Sequence, residues 1–417
     1  MRIAIIGAGI IGVTTAYELS ADGHAVTVFE RGSAVADGTS FANAGVVAPG
    51  YVTPWAAPGM AWKVLRQMTG RHAAVRVAPS ALLRDAGWLW RWWRACRPAV
   101  HGANRTHMHR LARYSQERLT GLSQRLQLDY ERGQGYMVLL RGERELAAAR
   151  GGLKLLAELG VAFELLDTAR ARQLEPGLNP GTPLRAAIHL PQDGVGNCRQ
   201  FAHLLKAEAQ KLGVRFQFQQ TVRAVHPGPT VTLDLTDGPQ AFDAAVVCAG
   251  VDAGALLAPL GLRLPLLPVW GYSLTAPLRE LEHAPDLGPR SALMDERYKV
   301  AISRLGRRVR VAGSAELGGQ AGRFHDGAMA TLHQVLDDWF PGAAQLAKAQ
   351  RWKGARPMLP DGPPVIGPSG REGLWLNLGH GSSGWALSAG SARALADLVA
   401  GRTPGVALDG LGVERFA

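Results

Sequence analysis

Six residues near the start of the chain, Gly7-Ala8-Gly9-Ile10-Ile11-Gly12, constrain its fold more than any other stretch. They follow an apolar run, residues 2–7, and open a segment, residues 10–22, whose apolar spacing predicts a helix. A second apolar run, residues 25–30, completes a βαβ unit. In such a unit Gly7 permits the tight turn, Gly9 lets the backbone approach a pyrophosphate, and Gly12 allows close helix–strand packing. The phosphates then sit at Ile10 and Ile11, on the free N–H groups of the helix start. Glu30 stands 18 positions after Gly12, where a carboxylate accepts hydrogen bonds from an adenosine ribose and disfavours a ribose phosphate.

The rest of the chain extends this pattern discontinuously. An irregular passage, residues 32–58, is followed by helical segments over 81–126 and a strand at 135–141. Alternating character returns with a helix at 198–212 and strands at 214–219 and 244–248, the last ending in Ala249-Gly250. Strand-like runs at 271–276, 298–303 and 308–312 suggest an antiparallel sheet. Residues 374–378 form a strand running into GHGSSG, and 385–399 form the last helix. The motif itself does not choose between NAD and FAD. Its place at the extreme N-terminus, the recurring Gly-terminated strand VVCAG and the glycine loop before the last helix favour FAD. The expected fold is α/β. A discontinuous Rossmann-like FAD-binding domain (1–48, 195–262 and 351–417) joins an α+β substrate domain (49–194 and 263–350) with a mixed or antiparallel sheet.

Composition narrows the partners. Cys96, Cys198 and Cys248 are sparse, match no metal-ligand spacing and argue for a reducing, cytoplasmic compartment; no metal is expected. The formal net charge of +12 comes without a nucleic-acid motif, so no nucleic-acid partner is expected. The longest uncharged stretch, residues 38–62, contains Pro49, Pro54 and Pro58 and reads as a loop, not a membrane span. Residues 88–97, WLWRWWRACR, interleave four tryptophans with three arginines. They read either as a peripheral contact with the inner face of the plasma membrane or as a helix with buried tryptophans and solvated arginines.

Five further stretches carry a resemblance: TSFANAGVVAPGYVTPWAAPG at 39–59, GYSLT at 271–275, DERYKVAISR at 295–304, GARPMLPDGPPVIG at 354–367 and LWLNLGHGSSGW at 374–385. In this order they resemble the D-amino acid oxidase-like superfamily of FAD-dependent oxidoreductases, and within it the bacterial D-amino acid dehydrogenases (small subunit). GARP stands where GLRP is commoner, which leaves Arg356 in place. The resemblance implies FAD contacts at Gly7, Gly9, Gly12, Glu30, Arg31, Ser40, Asn43, Ala44, Gly45, Val222 and Gly250. It implies others at Gly379, His380, Gly381, Ser382, Ser383, Gly384 and Trp385, with Arg356 between cofactor and substrate.

The implied reaction is oxidation of a D-amino acid at Cα, with electrons passed to a quinone or other respiratory carrier. Oxidation of a secondary amine (D-hydroxyproline, sarcosine or an opine) is the alternative. Arg356 is the expected anchor for the substrate carboxylate, because a guanidinium grips a carboxylate with two parallel hydrogen bonds. Tyr272 and Tyr298 are expected to add hydroxyl donors or an aromatic wall, and Tyr51 to contribute from the early loop. His380 either adds a positive charge or hydrogen bond or simply fills a turn between glycines, with the backbone N–H groups of the helix start as the main contributor there.

Overall fold

The computed structural model describes residues 1–67, 73–279 and 287–416. The expected βαβ unit is present: strands Arg2–Ile6 and Ala25–Glu30 run parallel, with Ile3 beside Val26, and helix Ile10–Ala21 joins them. Both strands are buried over most of their length, as a parallel sheet covered on both faces requires. They belong to a six-stranded sheet in the order Val365–Pro368, Leu374–Leu378, Ala244–Val247, Arg2–Ile6, Ala25–Glu30, Arg215–Phe218. Its pairings are parallel apart from that of Val365–Pro368 with Leu374–Leu378. A small antiparallel sheet, Ala224–His226, Val231–Leu235 and Gly238–Phe242, lies between two of its strands in sequence.

Helix Ile10–Ala21 lacks an amphipathic pattern because it is buried nearly all round. Its apolar side chains share one core with those of helices Pro98–Arg125, Cys198–Lys211 and Gly384–Val399. Within it the buried Glu18 carboxylate receives Arg118 at 2.6 Å and Arg393 at 2.9 Å. One buried charge thereby ties the first helix to the long helix and to the last.

The second layer is a ten-stranded mixed sheet. Its main path runs Gln350–Met358, Leu267–Pro277, Arg308–Leu317, Val300–Leu305, Ala292–Asp295, Gly133–Leu140, Ala186–Val195 and Val46–Val47. Most neighbours are antiparallel, but Ala292–Asp295 pairs in parallel with Gly133–Leu140. Helix Asp326–Trp339 packs on one face through Leu332, Val335 and Trp339. Residues 351–358 were expected with the cofactor segments. They are instead an edge strand of this sheet, hydrogen-bonded along Leu267–Pro277 with Arg356 opposite Val269.

The tryptophan-rich segment is a helix with two tryptophans buried and two exposed. In helix Ala86–Ala95, Trp88 and Trp92 are each 7% exposed, packed beside Trp55, whereas Trp90 and Trp93 are 54% and 55% exposed. Helical spacing puts positions 88 and 92 on one face and turns 90 and 93 outward.

Candidate active site

Five loops at the carboxyl ends of the parallel strands converge on one cavity of about 890 Å³. They are the turn after Ile6, Glu30–Arg31, Gln220–Val222, Cys248–Gly250 and the loop beginning at Gly379. Open α/β sheets bind ligands at this edge. Gly7 has φ +104°, and a Cβ there would fall 2.7 Å from the Cys248 carbonyl oxygen. A Cβ on Gly12 would fall 1.8 Å from the Gly7 carbonyl oxygen, so Gly12 packs the helix on the turn and lies outside the cavity wall.

Glu30 organises the turn. Its carboxylate accepts the Ala8 N–H at 2.7 Å and the Gly32 N–H at 2.8 Å while facing the cavity. Arg31, beside it, pairs with Asp252 at 2.8 Å. The Ser40 hydroxyl accepts the Ile10 N–H at the helix start. Ser40, Asn43, Ala44 and Gly45 line the cavity, as do Val222, Gly250, Ile10 and Ile11. The loop at 43–45 is fixed from behind by Arg310, a buried cation that donates to the Asn43 carbonyl and to Thr275, each at 2.9 Å. Sequence reading passed over Arg310, because its partners lie 35 and 267 positions away.

The opposite wall comes from the large sheet. Arg356 reaches from its edge strand across Gly271, where a Cβ would lie 2.3 Å from Nη2. Its Nη1 donates to the Ser314 carbonyl at 2.8 Å. A bulge arranges this contact: Trp270 pairs with Glu316 but Tyr272 with Gly313, and Ser314 takes φ +59°. Among the described residues no carboxylate pairs with Arg356, and burial lowers its pKa to about 10, which leaves it charged at neutral pH. The cavity therefore presents an unneutralised guanidinium.

Of the alternatives expected of three residues, Tyr272 keeps the wall, His380 keeps no charge, and Tyr298 keeps neither role. The Tyr272 ring lines the cavity, but its hydroxyl donates to Glu316, which Lys353 also holds at 2.8 Å; it is a wall, with its donor already engaged. Tyr298 lies outside the cavity lining, its ring 5.1 Å from the Arg141 guanidinium in the core under the sheet. His380 lines the cavity but supplies no positive charge: burial pushes its pKa down to about 3, and its Nε2 faces the Ser391 hydroxyl at 3.1 Å.

Gly379, Gly381, Ser382, Ser383, Gly384 and Trp385 line the cavity at the start of helix Gly384–Val399, whose first N–H groups and dipole favour negative charge there. Tyr51 also lines it, donating to Glu296 at 2.8 Å and accepting from Lys299 at 3.1 Å. Two cavity cations, Lys63 and Lys299, were not singled out from sequence. Lys63 is the first charge after the uncharged stretch 38–62, which would have marked it.

The cavity suits a long dinucleotide: a glycine cradle, a ribose-facing carboxylate and a helix start share one continuous wall. A family model described as FAD dependent oxidoreductase matches residues 2–398. The D-amino acid dehydrogenase of Cereibacter sphaeroides is 44% identical over 421 positions, covering 100% of this chain and 96% of that protein. That of Bradyrhizobium diazoefficiens is 41% identical over 423 positions, covering 100% and 99%. Among solved structures, glycine oxidase from Geobacillus kaustophilus superposes with a TM-score of 0.75 at 22% identity, covering 99% of this chain and 98% of that one. L-proline dehydrogenase from P. horikoshii gives 0.71 at 17%, covering 100% and 97%; these two likenesses concern the fold alone. With a family match running almost end to end, the chain belongs to the FAD-dependent oxidoreductases, and FAD is its cofactor.

Proposed function

We propose that this enzyme oxidises D-amino acids at Cα and passes the electrons to a quinone or another carrier. The observation that carries the reading is Arg356, a cation without a carboxylate partner among the described residues, in the wall of the cavity that the dinucleotide motif lines. The two relatives bearing the name D-amino acid dehydrogenase, identical at 44% and 41%, support the substrate class. When bound, FAD supplies the hydride acceptor for the substrate Cα. Arg356 grips the substrate carboxylate through paired N–H donors, and the Ser314 carbonyl with the Gly271 backbone holds the guanidinium plane.

Glu30 holds the ribose end of the cofactor, and the loops at Ser40–Gly45 and Gly379–Trp385 hold its length. The N–H groups at the start of helix Gly384–Val399 favour negative charge on the ring system, a role that neutral His380 does not share. Tyr51 and Tyr272 shape the substrate pocket. In this reading residues 1–48, 195–262 and 359–417 serve the cofactor, and 49–194 with 263–358 cover the substrate; the boundary moves from 351 to 359 with the edge strand.

Turnover under anaerobic conditions with an artificial acceptor tests the reading. D-alanine should be oxidised and L-alanine should not. Activity confined to N-alkylated or cyclic amines would replace it by the secondary-amine reaction.

A membrane contact has its own support. Trp62 (73% exposed) on helix Met60–Gln67 and Leu83 (87%) on helix Pro79–Arg84 are exposed, as are Trp90 and Trp93 on helix Ala86–Ala95, where Arg91 and Arg94 are interleaved. Among the described residues no helix is long and apolar enough to cross a membrane, so the contact would be peripheral. Helix Met60–Gln67 bears Trp62 outside and Lys63 on the cavity, which brings this surface close to the site of electron release.

A further inference from the structure

Resting on the proposed reaction, we infer that the cavity holds a second anion site at Lys63 and Lys299, and that the preferred substrates are D-amino acids whose side chain ends in a carboxylate. Both lysines line the same cavity as Arg356. The carboxylates around them are already matched: Glu296 pairs with Lys299, Glu145 with Arg297 at 2.7 Å, and Asp295 with Arg141 at 2.7 Å. No carboxylate of the described residues lies within ion-pair distance of Lys63, so its charge is left over.

Burial and the neighbouring Lys299 charge both hold the Lys63 ammonium below its ordinary pKa, with Glu296 and Glu145 opposing. An anion placed between the lysines would relieve that repulsion. The Tyr51 hydroxyl, which already bridges Lys299 and Glu296, lies at the same place.

The spacing suits a dicarboxylate. Arg356 and Lys299 are separated by three strand-to-strand steps, from Gln350–Met358 through Leu267–Pro277 and Arg308–Leu317 to the start of Val300–Leu305. That is about 14 Å across the sheet; Arg356 spans much of it, since its Nη1 reaches the Ser314 carbonyl beside Gly313, whose added Cβ would meet the Lys299 carbonyl oxygen at 3.0 Å. A short amino acid held at Arg356 leaves Lys63 unmatched. One with a terminal carboxylate two methylenes beyond Cα engages both ends.

The test compares kcat/KM for D-glutamate and D-glutamine in the FAD-loaded wild type, then in Lys63→Met. The wild type should favour D-glutamate by about tenfold, and Lys63→Met should bring the ratio close to one. A wild-type ratio of one or less, or an unchanged ratio in the variant, overturns the inference. A second readout needs no turnover: glutarate should protect the holoenzyme from thermal unfolding more than butyrate does, and Lys63→Met should remove the difference. Equal protection in the wild type overturns the second site. Discrimination by glutarate without oxidation of any D-amino acid would sink the proposed reaction and leave the site standing.

Discussion

Replacing Arg356 separates the substrate anchor from the cofactor site. The guanidinium is pinned by the Ser314 carbonyl at 2.8 Å and lies against Gly271, with no carboxylate partner among the described residues, so its remaining donors are free for a ligand. Each hydrogen bond to a charged group is worth roughly 1.5–3 kcal/mol. Arg356→Ala loses both bonds of the fork, so kcat/KM should fall roughly 10²- to 10⁴-fold. Arg356→Lys keeps the charge but loses the fork, and its fall should be roughly 10- to 150-fold. Gly271→Ala reaches the same end without touching the arginine: its Cβ would sit 2.3 Å from Nη2 and 2.7 Å from Nη1, which displaces the guanidinium. The assay is anaerobic rapid-mixing reduction of the bound flavin against D-alanine concentration, with flavin content measured on the same samples. All three variants should keep flavin and lose rate in the order Ala, Lys, wild type, with Gly271→Ala between Ala and wild type. Arg356→Lys within twofold of wild type, or flavin lost from the arginine variants, would refute the assignment.

Glu30→Ala should weaken FAD retention by at least tenfold, because the carboxylate also holds the Ala8 and Gly32 N–H groups; equilibrium dialysis of the apoprotein measures it. Asp193 is buried against the Gly50 N–H, and burial raises its pKa to about 7. Its folded pKa lies above its unfolded value near 4, so the folded state binds the extra proton between those limits, and stability from this group falls as pH rises from about 4 to 7. Asp193→Asn should accordingly raise stability at pH 8 by on the order of 2 kcal/mol and give no gain at pH 4; thermal melts at both pH values decide it. Substituting Leu83, Trp90 and Trp93 together by serine should abolish co-sedimentation with anionic vesicles and leave the D-alanine rate with a soluble acceptor within twofold. Vesicle binding unchanged in that variant would remove the surface from the membrane reading.

The cofactor half of the molecule was legible because its signals are local. A tight turn, a helix start and a strand-ending carboxylate fall within the first thirty residues, and strands Ala25–Glu30 and Leu374–Leu378 stand where the apolar runs place them. The large sheet was not legible in the same way. Strand Ala186–Val195, not singled out from sequence, contains Pro191 and Gly194, residues that disfavour a strand interior, yet it pairs along Gly133–Leu140 through a register shift. Its order is set by pairings between distant segments that no local periodicity encodes.

The site errors have the same origin. Residues 298–303 were expected as one strand, but Lys299 takes φ +53° and the strand begins at Val300. That single left-handed residue sends Lys299 to the cavity and Tyr298 to the core. Tyr272 was correctly placed on the wall, but Glu316, which takes its hydroxyl, is 44 positions away. The charge on His380 depends on burial, which a glycine-rich sequence does not announce.

The most direct test of the central claim is the visible spectrum of the purified protein under anaerobic conditions, recorded before and after addition of D-alanine or D-proline and of their L-enantiomers. The account predicts an oxidised flavin spectrum that bleaches with the D-enantiomer alone. Bleaching by the L-enantiomers, or a flavin that stays oxidised with every primary and cyclic D-amino acid tried, would contradict it.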